Sequence, residues 1–169
     1  MPNEASVKDV IVADNDAIIR SILRSVLEGE GFTVLPGIDG FEAVDIARRT
    51  QASLVILDYK MPHMDGITAC SEIRQLPGYA ATPIVILTAF GDSDTRRAAN
   101  AAGISAFLTK PFTPIEVLRT AGGLLGYSIA ALAQWPPPMV WKRRQEPKPL
   151  FGEPSEFSNA RRLLNICRR

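Results

Sequence analysis

Along the first 125 residues, short β-branched apolar runs alternate with stretches whose apolar residues recur every three or four positions. Lys8 to Ala13 (KDVIVA) carries no polar residue after Asp9, as a strand covered on both faces requires. Ile19, Ile22, Leu23, Val26 and Leu27 follow at helical spacing, and Gly29 and Gly31 supply the stop. Phe32–Leu35 is a second short run. Asp39 with Glu42 makes a capping box for a helix whose apolar residues are Phe41, Val44 and Ala47. Ser53–Leu57 is the third strand, followed by a helix from Ile67 to Leu76. Pro83–Leu87 is the fourth, followed by an Ala-rich fourth helix ending at Gly103. Ala106–Leu108 is a shorter fifth strand. Thr113, Pro114 and Glu116 then open a fifth helix with an N-cap, a first-position proline and a capping glutamate.

Five such alternations without hairpin signals predict an α/β fold, a doubly wound parallel sheet with helices on both faces. The spacing assigns residues 7–125 to this domain, 1–6 to an N-terminal extension and 126–169 to a tail. Six of the 13 prolines fall in the last 36 residues, so the tail is expected to be extended or largely disordered. The net charge of +1 hides an asymmetry: residues 134–169 hold 8 Lys/Arg against 3 Asp/Glu, and the body is acidic. Cys70 and Cys167 stand too far apart for a disulfide framework or a metal-ligand motif, which fits a reduced, cytoplasmic protein. No signal peptide is read at the N-terminus. The longest apolar stretch, Ala121 to Trp135, is too short and too glycine-broken to span a bilayer.

In a parallel α/β sheet, chemistry collects beyond the carboxyl ends of the strands. Strand 1 is followed there by Asp14, Asn15 and Asp16, strand 3 by Asp58, strand 4 by Thr88 and strand 5 by Lys110. Crowded carboxylates repel unless a cation is present, and Mg²⁺ suits such oxygen ligands. An aspartate left partly uncoordinated can act as a nucleophile towards phosphorus, with an ammonium and a hydroxyl on the phosphoryl oxygens. Each of these residues alone is also an ordinary helix-capping or loop residue; it is the convergence of all of them that points to phosphoryl chemistry.

With those residues in place, the chain resembles the receiver domains of two-component response regulators over roughly residues 7–125. The resemblance rests on Asp14-Asn15-Asp16 with Arg20, on Asp58 to Met61-Pro62 and Asp65-Gly66, on Thr88-Ala89, and on Phe107 to Lys110-Pro111-Phe112. It implies a flavodoxin-like sheet of order 2-1-3-4-5. It also implies that Asp58 is the phosphoacceptor, served by the phosphohistidine of a histidine kinase or phosphotransfer protein. Asp14, Asp58 and the carbonyl of Lys60 would hold Mg²⁺, and Lys110, followed by a cis proline, would pair with the carboxylate and then the phosphoryl oxygens. Thr88 would be the switch hydroxyl that lets Phe107 turn inward, altering a target-binding face on the fourth helix, fifth strand and fifth helix. The family usually has a second acid where this chain has Asn15, so Mg²⁺ should bind more weakly unless Asp16 compensates.

The function this implies is a phosphorylation-dependent switch acting by protein–protein contact, which catalyses no turnover beyond its own phosphorylation and dephosphorylation. A degenerate receiver serving as a constitutive adaptor is one alternative, motivated by Asn15. Nucleic-acid binding through Trp141 to Arg144, Arg161-Arg162 and Arg168-Arg169 is a second, weaker one. A small enzyme of flavodoxin or phosphatase type is a third, although no glycine-rich phosphate loop follows strand 1. His63, the sole histidine, reads as an exposed loop residue and not a relay histidine. Asp65-Gly66 reads as a turn and helix start, and Cys70 as a packed helix residue. Lys60 and Phe90 occupy the positions that flank the hydrolytic water in receivers, where a bulky Phe90 would shield the acyl phosphate.

Overall fold

The computed structural model describes residues 9–89 and 102–126. Most of the expected Ala-rich fourth helix, Phe90, the N-terminal extension and nearly all of the tail lie outside the described residues. The elements are β1 (Asp9–Ala13), α1 (Ala17–Glu28), β2 (Thr33–Gly37), α2 (Gly40–Arg49), β3 (Leu54–Asp58), α3 (Gly66–Arg74), β4 (Ile84–Thr88), β5 (Ala106–Thr109) and α4 (Pro114–Leu124), the last being the helix expected from Thr113. The five strands form one sheet in the order β2-β1-β3-β4-β5, with every pairing parallel.

Strand periodicity divides the core in two, because successive side chains leave opposite faces of a sheet. Val10, Val12, Leu54, Ile56, Val85 and Leu87 pack with Leu23 and Leu27 of α1 and Val117 and Ala121 of α4. Ile11, Ala13, Val55, Leu57, Ile84 and Ile86 pack on the other side with residues of α2 and α3. Strands covered on both sides can therefore be apolar at every position, as β3 and β4 are up to their last residue. Pro36 is tolerated inside β2 because that strand is the sheet edge.

The helix starts follow the expected chemistry. Asp16, Asp39 and Asp65 cap α1, α2 and α3, and Thr113 with Glu116 forms the capping box of α4. Phe41 departs from expectation: it is 56% exposed, while Ala43, Val44 and Ala47 carry the buried face of α2. At this first turn Gly40 faces inward, so close to the loop between β3 and α3 that a Cβ there would lie 2.5 Å from the Met64 carbonyl oxygen. Ile22 of α1 likewise stays largely exposed, because Leu23 and Leu27 fill the space over the sheet.

Candidate functional site

The chain passes from β1 to β2 on one side and then to β3 on the other, so β1 and β3 flank the point where the strand order reverses. That crevice is where a doubly wound sheet leaves room for a site. Asp14, directly after β1, and Asp58, the last residue of β3, meet there, and both are buried. Between them stands Lys110, whose Nζ lies 2.6 Å from Asp14 Oδ2 and 2.7 Å from Asp58 Oδ1. The lysine arrives through the backbone: its N–H donates to the Thr88 carbonyl at 2.7 Å, joining the ends of β4 and β5. Its peptide bond to Pro111 is cis. Thr88 itself is buried at the end of β4.

Two carboxylates share one ammonium, leaving a net negative charge in the crevice. Burial pushes the Asp58 carboxyl above its ordinary value, and the nearby Asp14 charge adds to this. The hydrogen bond and charge of Lys110, with a hydrogen bond from the Lys60 backbone, only partly offset that rise. Burial disfavours the Lys110 ammonium too, but its hydrogen bonds to Asp14 and Asp58 outweigh the penalty and hold its pKa above the ordinary lysine value. The uncompensated charge and the hard oxygen donors fit a small divalent cation.

The supporting structure is specific. Asp14 Oδ1 accepts from the Asp16 backbone N–H at 2.8 Å, and the Arg20 guanidinium donates to the Asp14 carbonyl at 2.6 Å. Gly66 begins α3 against the Asp58 backbone, where no larger residue fits. Arg20 and Gly66 appear in the quoted motifs, but their positioning roles have no signature in periodicity or charge. Asn15 is exposed at the rim. Asp16, the residue expected to compensate, is exposed, and its Oδ1 accepts from the Ile18 N–H as the cap of α1. Among the described residues no group of three or more His, Cys, Asp or Glu side chains gathers as a metal cluster.

The remaining expected residues sit as follows. Lys60 is exposed just beyond Asp58, and Phe107 is half-buried in β5, against the core beneath α2 and α3. His63 is exposed with a φ of 64°, a loop residue and not a helical one. Cys70 is fully buried and donates to the Ala102 carbonyl; burial pushes its thiol up to about 11. No helix among the described residues is long and apolar enough to cross a membrane.

Comparison with known proteins agrees with this fold. Residues 10–121 match the response regulator receiver domain, and the chain belongs to that family. The Mycobacterium tuberculosis transcriptional regulatory protein PdtaR is 43% identical over 110 residues, which is 64% of this chain and 52% of that protein. The Bacillus subtilis transcriptional regulatory protein ResD is 37% identical over 116 residues, 69% of this chain and 47% of that one. The chain thus spans about half the length of these two relatives. Among solved structures, the Vibrio cholerae chemotaxis protein CheY4 superposes with a TM-score of 0.68 at 28% identity, covering 70% of this chain and 99% of that one. The receiver domain of a Pseudomonas aeruginosa sensor histidine kinase, solved with a magnesium ion coordinated in its active-site cleft, gives 0.66 at 27% identity, with 70% and 98% covered.

Proposed function

We propose that this chain is a phosphoaspartate switch in which Asp58 accepts a phosphoryl group from the phosphohistidine of a histidine kinase or phosphotransfer protein. The observation that carries the reading is the bridging of two buried carboxylates, Asp14 and Asp58, by the single ammonium of Lys110. In the transfer, a bond forms between a carboxylate oxygen of Asp58 and phosphorus while the phosphorus–nitrogen bond of the donor breaks. The electron pair leaves with the imidazole nitrogen, which takes up a proton. Lys110 holds the acceptor in place beforehand and then lies within reach of the phosphoryl oxygens, a positioning and charge-stabilising role. Asp14, Asp58 and the Lys60 carbonyl would hold Mg²⁺, with Asn15 offering a neutral oxygen. When bound, the ion neutralises charge on the transferring group.

Thr88 then acts as the switch hydroxyl and Phe107 as the aromatic residue that follows it, altering the surface formed with β5 and α4 for a downstream protein target. The domain runs over residues 7–125 and works by protein–protein contact in the cytoplasm, with no turnover beyond its own phosphorylation and dephosphorylation. Asn15, in place of a second acid, favours one other reading: a constitutive adaptor that takes up no phosphoryl group. Intact-mass measurement after incubation with acetyl phosphate and Mg²⁺ separates the two. A gain of one phosphoryl mass, lost in Asp58→Asn, supports the switch. No gain at high Mg²⁺ in folded protein supports the adaptor.

A further inference from the structure

On the outward face of α1, Ala17, Arg20, Ser21 and Arg24 lie one above another and, with Pro36 of the edge strand, line a pocket of about 250 Å³. Residues three and four apart share one helix face, so this stripe brings two guanidinium groups and a hydroxyl to one opening. Neither guanidinium is fully committed. Arg24 pairs with Glu28 at 3.7 Å, and both side chains are about half exposed, an arrangement that water and competing anions readily displace. Arg20 donates to the Asp14 carbonyl, which fixes its planar head, and has no carboxylate partner among the described residues. Among the described residues no other acceptor takes its remaining N–H groups, which are held in a set orientation, the condition under which arginine binds planar or tetrahedral oxyanions best. Pro36 and Ala17 give the pocket an apolar wall beside the charge.

We infer that this pocket binds a single phosphoryl group, either as free phosphate or as the end of a small phosphate monoester, on the Arg20 and Arg24 guanidiniums and the Ser21 hydroxyl. The volume leaves room for one such group with a small apolar substituent against Pro36. The inference does not depend on Asp58 being the phosphoacceptor. The acceptor crevice, with its excess negative charge, disfavours free phosphate, so the two anion-related sites are chemically distinct.

The test is a titration of the ¹⁵N-labelled full chain with inorganic phosphate and, separately, with phenyl phosphate, following the arginine Nε–H resonances. Saturable shifts of Arg20 and Arg24 are expected, retained in Asp58→Asn and weakened at least tenfold in affinity in Arg24→Gln. Tighter binding of phenyl phosphate identifies a monoester as the source, and equal or weaker binding identifies the free ion. Arg24 is exposed, so Arg24→Gln should keep its backbone spectrum; Ser21→Ala, with a smaller loss, provides a second variant. Linear shifts without saturation, shifts unchanged in Arg24→Gln, or shifts abolished by Asp58→Asn would each overturn the inference.

Discussion

A Cβ atom on Gly66 would stand closer than 3.0 Å to the backbone carbonyl oxygen of Asp58, so α3 begins where only a glycine lets it come this near the end of β3. The Gly66 N–H also donates to the Tyr59 carbonyl at 3.1 Å, tying the helix start to the residue after Asp58. The start of α3 thereby fixes the backbone at Asp58, while Lys110 holds its carboxylate.

Gly66→Ala should therefore damage the site as well as the fold. Overpacking against backbone should cost about 1–3 kcal/mol of stability. A displaced acceptor should slow phosphoryl uptake by up to about a hundredfold, because small misplacements are heavily penalised in transfer chemistry. Urea unfolding and timed intact-mass measurements with acetyl phosphate check the two effects separately. Uptake at the wild-type rate would show that the close approach does not position Asp58.

Asp58→Asn should abolish uptake and yet stabilise the fold. Burial raises the Asp58 pKa, so the folded state resists its ionisation. For a carboxyl raised in this way, stability is fully present below the unfolded value of 3.8 and is lost as pH rises through the folded-state pKa. The variant escapes that loss. Its melting midpoint at neutral pH should exceed the wild type's by a few degrees, the scale on which about 1 kcal/mol moves a domain of this size. The difference should vanish below the unfolded value, which melting curves across the acid range will show.

Lys110→Met removes the ammonium and leaves Asp14 and Asp58 facing each other. The loss should be roughly 2–4 kcal/mol, somewhat below that for a fully buried pair because Lys110 retains some exposure. Mg²⁺ should recover part of it, so the midpoint should rise more with added Mg²⁺ in this variant than in the wild type. Melting in chelator and in Mg²⁺ measures both numbers. An equal rise in both proteins would mean that the cation and the lysine do not share the same carboxylates.

Much of this arrangement is legible in the sequence, for a simple reason. Strands buried on both faces must be apolar throughout, so Asp58 and Thr88 stand out as the first polar residues after VIL runs, and the strand ends locate themselves. Capping is equally local: Asp39, Asp65 and Thr113 act on backbone N–H groups within three residues. The helix faces are less legible. Phe41 and Ile22 fit a helical period, but which apolar residue turns inward depends on where neighbouring loops approach, and Gly40 against Met64 decides that for α2. Arg20 on the Asp14 carbonyl and Gly66 under Asp58 are side chain or Cα against backbone, contacts that no hydrophobic pattern encodes.

The cap of α4 yields a prediction of opposite pH sign to Asp58. Hydrogen bonds from the Thr113 backbone N–H at 2.6 Å and hydroxyl at 2.7 Å hold the Glu116 carboxyl below its ordinary value. Stability from a depressed carboxyl is present above the unfolded value of 4.5 and lost as pH falls through the folded-state pKa. Thr113→Ala should cost about 1 kcal/mol at neutral pH, the usual worth of such a cap. The deficit should shrink as the medium is acidified, which paired denaturant curves at neutral and acid pH will test.

Asn15 stands where the resemblance to receiver domains leads one to expect a second acid, and the difference has a direction. The residue is exposed beside two buried carboxylates, so an acid there would add a charge towards a bound cation through a mostly aqueous path. Across water, a unit charge at about 4 Å is worth about 1 kcal/mol per opposing unit charge, so towards a dication, at about 2 kcal/mol, Asn15→Asp should tighten Mg²⁺ binding by roughly thirtyfold. Since a ligand that binds only the folded state raises stability as the logarithm of its concentration over its dissociation constant, the midpoint's rise with Mg²⁺ reports the affinity directly. Without Mg²⁺ the new carboxylate should instead lower the midpoint, by adding repulsion to Asp14 and Asp58. Those two opposite shifts in one variant are a signature of a shared cation site. If the midpoint of Asn15→Asp rises with Mg²⁺ no more than the wild type's, position 15 does not reach the cation, and Asp14 and Asp58 must hold it with backbone and water alone.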